Sequence, residues 1–389
     1  MDQSKKERKR ERGGSDRSLM GRLEEKCSSS KRRRRANDAA GTGKHLYLAL
    51  DDWEGGYSIH KLDPDDLFME SDDDEAPGGA IAKLPEPAAV RIASPVRGPM
   101  AFAALGTNIF VATNPRCRRE HYAPPTLVYD TQTSALTVGP RVPDWLHDLS
   151  DAMAVGEKLY AVTSYRFTES PSLQAMSWAP ITSIPDPYPW DPAVEWSWKS
   201  MPAAAPPPLD GLDITAYALH PDGRTLFMSS GVSTHSLDTS SGVWKELGDW
   251  VLPFRGQAYF DGDLDAWVGL HRGADGYICC CPVASRSAAT TRPPECRVLM
   301  EKMFQFQGEQ EKKGGRHLGA TLTYMGDSRF CLAESVLRSM DDLESVLRVT
   351  VFGLRYDHKG ELRTRVRRTA RSYAVSKNTL RFSHAAFWM

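Results

Sequence analysis

The stretch RFSHAAFWM, residues 381–389, decides the fold. It finishes on Phe387, Trp388 and Met389, although chain ends without partners are usually small and polar and stay in water. An apolar end needs a partner elsewhere in the chain. KHLYLALDD, residues 44–52, supplies one: an apolar strand-like run with Tyr47 near its centre. Joined, SHAAFWM and KHLYLALDD form a split copy of a pattern that recurs five more times without interruption.

The unbroken copies are MAFAALGTNIFVAT (100–113), DAMAVGEKLYAVT (151–163), ITAYALHPDGRTLFMSS (214–230), GQAYFDGDLDAWVGLH (256–271) and GATLTYMGDSRFCLAE (319–334). Each is a run with small residues, a turn, then an apolar strand with a central aromatic. Those aromatics are Tyr47, Phe110, Tyr160, Phe227, Trp267 and Phe330. The turns LGTN, VGEK, HPDG, DGDL and MGDS carry the Gly, Asp and Asn that tight hairpins use. Two further extended segments follow most pairs. TLVYDTQTSALTVGPRVP, STHSLDTSSGVWKEL, YICCCPVASRS with CRVLMEKMF, and VTVFGLRYDHKGELRTRVRR are examples.

Four strands per repeat, spaced at 40 residues from Phe227 to Trp267 and up to 67 from Tyr160 to Phe227, match propeller blades with inserted loops. The second strands show little polar residue on either face, as expected of strands covered on both sides. Alanines at 101, 103, 152, 154, 216, 218, 385 and 386 suit crowded inner strands. The expected fold is therefore all-β: a β-propeller of six four-stranded blades over residues 44–389, closed by the C-terminal strand pairing with the N-terminal blade. A seven-bladed ring and a β-sandwich are the competing architectures.

The quoted segments also carry a family resemblance. MAFAALGTNIFVATN with TLVYDTQTSALTVGPRVP resembles a kelch-type repeat, although only EGGY, at Gly55 and Gly56, keeps a kelch glycine pair. LYLALDDWEGGYSIHKLD, HPDGRTLF, LPFRGQAYFDGDLDAWVGL, HLGATLTYMGDSRFCLAE and VTVFGLRYDHKGELRT resemble a large, grass-expanded plant family of uncharacterised kelch-like, F-box-associated propellers. The likeness runs from about Lys44 to Met389. It implies a propeller with a role in protein recognition and brings no catalytic residues. The N-terminal tail has no apolar helical pattern long enough for an F-box.

That tail, residues 1–43, is basic and poor in apolar residues. It contains KKERKRER and KRRRR, while the whole chain of 389 residues balances 49 Lys and Arg against 50 Asp and Glu. Such a segment cannot bury enough surface to offset the entropy of ordering, so disorder is expected. The cluster Lys31, Arg32, Arg33, Arg34 and Arg35 reads as a nuclear-import signal, a solubilising tail or a phosphate contact. No apolar run approaches the ~18–20 residues of a membrane-spanning helix, and no secretory signal is evident. A nuclear or cytoplasmic, thiol-reducing setting is expected, with the seven cysteines free. In YICCCPV, strand alternation sends neighbouring cysteines to opposite faces, a poor arrangement for a metal.

No G-x-S-x-G elbow, H-E-x-x-H helix or Gly-rich phosphate loop occurs. The acidic groups DPDD, ESDDDE and DGDLD read as turns and solvated loops rather than a calcium loop. His384 and Asp151 are the inner-strand residues that could face a channel. The expectation is a non-enzyme without cofactor or metal. A propeller hydrolase and a nucleic-acid-associated protein are the alternatives.

In an antiparallel blade, second-to-third loops and blade-to-blade loops share one face. That face gathers Arg116, Arg118, Arg119 and Tyr122, Arg166, Arg272, and the Lys312–Lys313 pair. Arg and Tyr are enriched at interaction hot spots. The face is therefore the candidate partner surface, for an acidic segment of a protein. Nucleic acid would bind through the tail only, no membrane is involved, and a monomer is favoured. The Pro-rich loop 180–193, with Tyr188 and Trp190, is either a second docking element or a lid.

Overall fold

His384–Trp388 is a strand, and it pairs antiparallel with Leu46–Trp53: Leu46 stands opposite Trp388, Tyr47 opposite Phe387, and Ala49 opposite Ala385. The computed structural model describes residues 43–53, 55–68, 81–93, 100–113, 126–143, 146, 152–162, 173–180, 194–201, 214–273, 276–286, 292–304, 316–338, 345–375 and 384–389.

In chain order, β1 (Leu46–Trp53) and β2 (Gly56–Leu62) lead to a short helix α1 (Pro64–Phe68), then β3 (Ile81–Ala82) and β4 (Val90–Ala93). The second group is β5 (Met100–Leu105), β6 (Asn108–Thr113), β7 (Leu127–Asp130) and β8 (Leu136–Val138). The third is β9 (Met153–Val155), β10 (Lys158–Val162), β11 (Leu173–Pro180) and β12 (Val194–Met201). The fourth is β13 (Ile214–Leu219), β14 (Thr225–Ser230), β15 (Ser233–Asp238) and β16 (Val243–Gly248). The fifth is β17 (Phe254–Asp261), β18 (Ala266–His271), β19 (Ile278–Pro282) and β20 (Arg297–Val298). The sixth is β21 (Arg316–Gly326), β22 (Arg329–Leu337), β23 (Ser345–Tyr356) and β24 (Leu362–Ala374), and β25 is His384–Trp388.

The second to sixth groups are antiparallel meanders of four strands, and the first is β25-β1-β2-β4. Parallel pairing of β13 with β17 ties the fourth and fifth together. Strand β3 adds in parallel to the outer side of β24. The turns read from the sequence all join a first to a second strand. Gly106 and Gly156, at φ 59° and 58°, take the left-handed conformation that glycine adopts without strain.

Each apolar core lies between two sheets. One packs β1 leucines 46, 48 and 50 against Leu347 and Val349 of the sixth sheet. Others join first to second (Tyr47, Ile59 with Phe102, Ile109), second to third (Phe110 with Leu159, Met176) and third to fourth (Tyr160 with Leu226, Met228). The last two join fourth to fifth (Phe227 with Trp267) and fifth to sixth (Val268 with Phe330). Every sheet thus belongs to two cores. This is a β-propeller.

The six aromatics are all buried, at 0–3% exposure, but they do not all point the same way. Tyr47, Phe110, Tyr160 and Phe227 face the following sheet. Trp267 and Phe330 face the preceding one. A one-residue difference of phase turns a strand side chain to the opposite face. Phe227 and Trp267 consequently meet in one core, with ring centroids 4.9 Å apart. Trp267 Nε1–H also donates to the Leu219 carbonyl at 2.8 Å.

Asp222, in the HPDG turn, fastens the same two sheets. Its carboxylate accepts from the backbone N–H groups of Arg224 and Thr225, from Thr225 Oγ1, and from Arg286 of the fifth sheet at 2.7 Å. Burial opposes ionisation of Asp222, but the Thr225 and Arg224 hydrogen bonds and nearby His220 outweigh it and hold the carboxyl well below its ordinary range.

Strand β25 serves two cores. Ala386 and Trp388 pack toward the sixth sheet, whereas Ala385, Phe387 and Met389 pack toward the second. Backbone bonds between His45 and Met389 run in both directions, and Thr323 Oγ1 of β21 donates to the Ala386 carbonyl at 2.9 Å. His384 anchors the other end of the strand. Its Nε2 lies 2.9 Å from the Ala333 carbonyl, which can only accept, so that nitrogen carries the proton. Nδ1 therefore accepts from Ser335 Oγ at 2.6 Å. Ser335 is 1% exposed, so the hydroxyl of this pair lies inside the protein.

Burial brings the His384 pKa down to about 4, the Ala333 hydrogen bond partly opposes this, and His317 adds to the lowering. A base with a depressed native pKa stabilises the fold fully above its unfolded value and loses that contribution as pH falls toward the native one. The melting temperature should hold above the ordinary histidine value of 6.5 and fall between there and about 4. The fall should be shallower in His384→Asn, by differential scanning fluorimetry; equal slopes would remove His384 from the acid response. Deleting residues 384–389 removes Phe387, Trp388 and Met389 from two cores, at roughly 2–5 kcal/mol per large side chain. The truncated chain should be insoluble or lack a cooperative melt. A soluble product with an unchanged melting temperature would contradict the role given to β25.

Candidate functional site

Pairing of Phe254 with His271 puts the start of β17 and the end of β18 at one end of the fifth sheet. The β18–β19 connection and the segment entering the sixth sheet reach the same end. Four features meet there. Arg255 is exposed beside Phe254, and Arg272 is exposed with its backbone N–H bonded to the Pro253 carbonyl at 2.8 Å. His271 N–H donates to Tyr277 O at 2.9 Å, closing the connection. Lys302, exposed, lies with its stem against Gly276.

Gly276 is required twice over. Its φ is 87°, and a Cβ there would come within 2.8 Å of Phe304 Cβ and 2.9 Å of Lys302 Cε. Its carbonyl accepts from the Met303 N–H at 2.7 Å, which brings the chain after β20 down onto the turn. Phe304 is buried there and stacks on His317, with centroids 4.1 Å apart. The result is a shallow, open depression lined by Arg255, Leu270, His271, Gly276, Tyr277, Phe304 and Ala320. No carboxylate is among those lining residues. Its space holds little more than one water molecule, far below the ~300–1,000 Å³ of ordinary small-molecule sites. Arg255 and His271 line it together with the apolar Leu270, Phe304 and Ala320.

Of the residues expected on this face, Arg272 directly follows β18 at this end of the fifth sheet. Arg116, Arg118, Arg119, Tyr122 and Arg166, with Lys312 and Lys313, lie outside the described residues, as do Lys31–Arg35, Asp151 and loop segment 181–193. Arg255, Lys302 and Phe304 were missed. The available signal was topological: LPFRGQ begins an inner strand and EKMF follows an outer one, so both border the blade-to-blade face.

The other clusters have internal partners. In DGDLD, Asp261 is buried and its Oδ1 accepts from the backbone of Asp263 and Leu264 and from Ser328 Oγ. His60 and Asp52, both buried, face each other at 3.0 Å between β2 and β1. Cys279 and Cys281 point into one core and Cys280 into the next, the alternation expected of CCC. Among the described residues no group of three or more His, Cys, Asp and Glu is placed to hold a metal ion, and no helix is long and apolar enough to cross a membrane.

No curated protein sequence matches the chain. Solved structures similar in shape include one from a nidogen–laminin complex, at 12% identity, covering 78% of this chain and 89% of that one, with a TM-score of 0.38. Another is the β-propeller domain of Myceliophteria thermophila Cps50 (Swd1), at 11% identity, 83% and 82% coverage, and a TM-score of 0.34. A third is a candidate 6-phosphogluconolactonase from Bacteroides fragilis, at 9% identity, 89% and 99% coverage, and a TM-score of 0.39. At such identities and TM-scores these likenesses carry no argument about function. Residues 43–373 match a family described as a protein of unknown function, DUF1668, and the chain belongs to that family.

Proposed function

We propose that the protein is a non-catalytic recognition module whose blade-to-blade face binds an acidic segment of a partner protein. The observation that carries this reading is the depression at the end of the fifth sheet. Exposed Arg255 and half-buried His271 line it beside Leu270, Phe304 and Ala320, no carboxylate lines it, and exposed Arg272 and Lys302 adjoin it. We read the six sheets as six blades of one ring closed by β25, kelch-like in connectivity. On that reading Arg116, Arg118, Arg119, Tyr122 and Arg166 extend the same rim. The protein works as a monomer without cofactor, in the nucleus, to which Lys31–Arg35 directs it; the resemblance to plant F-box-associated propellers supports the recognition role. A propeller hydrolase is the weaker reading, because the depression is too small for a substrate and Ser335, the hydroxyl beside His384, is buried.

The test is affinity capture with the full chain and with an Arg255→Glu, Arg272→Glu, Lys302→Glu variant, each with and without nuclease. Proteins held by the rim should fall about tenfold or more on the variant, since reversed charges repel an acidic partner, and should survive nuclease. Equal recovery on both baits would reject the rim. Loss on nuclease treatment would move function to the tail and to nucleic acid. For localisation, replacing Lys31–Arg35 with alanine should lower nuclear accumulation of a fluorescent fusion. Unchanged accumulation would leave the cluster as a solvated tail.

A further inference from the structure

The third sheet ends on an outer strand whose sequence matches itself. Strand β12 lies at the edge of the β12-β11-β10-β9 order, and no described strand pairs with its other side. Its centre is EWSWK, residues 195–199. About Ser197 the run reads alike in both directions, with Trp196 answering Trp198 and Glu195 answering Lys199. Alternation puts Glu195, Ser197 and Lys199 on one face and the two tryptophans on the other. Glu195 and Lys199 are exposed, and across the ladder they face Ala179 and Ala175 of β11. They stand about 13 Å apart along the strand, too far to pair with each other.

The aromatic face is incompletely covered. Trp196 packs edge-on against Phe110 of the second sheet, with centroids 5.0 Å apart, and against Trp178, its ladder partner, at 5.4 Å. Trp178 is nevertheless 55% exposed. Charges on an edge commonly keep other strands away. Here they are of opposite sign and equidistant from Ser197, so a second β12 is matched rather than repelled. Strand β24, also an outer strand of its sheet, differs. It carries Arg363, Arg365 and Arg371 with no Asp or Glu, and β3 covers part of it. A second copy of that edge would meet like charge.

We propose that β12 is a docking edge for a second copy of this chain, the two β12 strands running antiparallel about a twofold axis at Ser197. An antiparallel twofold can pass through either kind of ladder pair, so both phases of hydrogen bonding allow that centre. In this register Glu195 stands opposite Lys199 of the second copy, and Lys199 opposite its Glu195, with Cβ atoms about 4.5–5.5 Å apart. Ser197 meets Ser197. On the other face each Trp196 lies beside a Trp198, which extends the ladder pairs Trp178–Trp196 and Met176–Trp198 into rows of four side chains across the join. Two four-stranded sheets become one, and neither β12 edge is left open. A strand of 8 residues on each side makes a small interface, so the dimer forms and parts with concentration. A single chain remains the recognition unit read above, and pairing sets two of them side by side. Strand β12 belongs to the third sheet and the cationic rim to the fifth, so substitutions in one leave the other intact.

The test is sedimentation velocity on the full chain in low-salt buffer, from about 1 to about 100 μM. The unaltered chain should pass from one chain mass to two as concentration rises. Lys199→Glu sets Glu against Glu at both charged pairs, and Glu195→Lys sets Lys against Lys. Each should raise the concentration for half-dimerisation about tenfold or more. The double variant Glu195→Lys, Lys199→Glu restores both pairs with their signs exchanged and should dimerise like the unaltered chain. Mixing the two single variants should give a mixed dimer, because each chain then meets the opposite charge at both pairs. Both side chains are exposed, so neither substitution removes a buried contact. A single-chain species at every concentration would overturn the proposal. So would a dimer that both single variants keep, or a double variant and a mixture that fail to recover it.

Discussion

The pairing of β25 with β1 is the constraint on which the other sheets depend. It joins residues 342 positions apart, since Leu46 faces Trp388. Closing a flexible loop of that length costs about 5 kcal/mol in chain entropy. The intervening sheets remove most of that cost, because once their five shared cores have formed, both strands are already held near each other. Alternation then places Ala386 and Trp388 in one core and Phe387 and Met389 in another. A five-residue strand thereby completes two interfaces, which explains why this stretch is so apolar.

The joints between sheets are not equal. Between the fourth and fifth lie Phe227 and Trp267 in contact, the Trp267–Leu219 bond, the parallel β13–β17 pairing and the Asp222–Arg286 link. Between the sixth and first, leucines and valines pack without a second-strand aromatic. Neighbouring repeats with the same outline thus build different interfaces. The cationic side chains at the end of the fifth sheet come from three segments, the start of β17, the end of β18 and the chain after β20. Their convergence follows from the meander, while the apolar floor follows from Gly276 letting Phe304 close over the turn.

Much of the fold was legible because its signals are local. Hairpin glycines at 106 and 156, aromatics in second strands, and the polar turn between the strands of TLVYDTQTSALTV all act within a dozen residues. The alternation of Cys279, Cys280 and Cys281 was readable for the same reason. The phase of Trp267 and Phe330 was not, because one residue of slip leaves the pattern looking alike and reverses the face. Strand β3 is two residues long and pairs in parallel with β24, nearly 300 positions away, so nothing local marks it. The DPDD group read as an acidic turn forms part of α1, where Asp65 and Asp66 occupy the first turn. Of the site, Arg272 was visible as part of a loop. Arg255 and Lys302 were not, since each becomes a rim residue only through what the chain does elsewhere.

The distance between β1 and β25 also has a meaning in time. At ~5–20 residues per second, roughly 17–70 s of synthesis separate Leu46 from Trp388. Throughout that interval β1 has β2 on one side and an open edge on the other. Leu46, Leu48 and Leu50, which end up with no exposure at all, wait for both the sixth sheet and β25. The nascent chain therefore presents a long-lived apolar edge, and its yield in a cell depends on how well that edge is shielded before its final partner emerges.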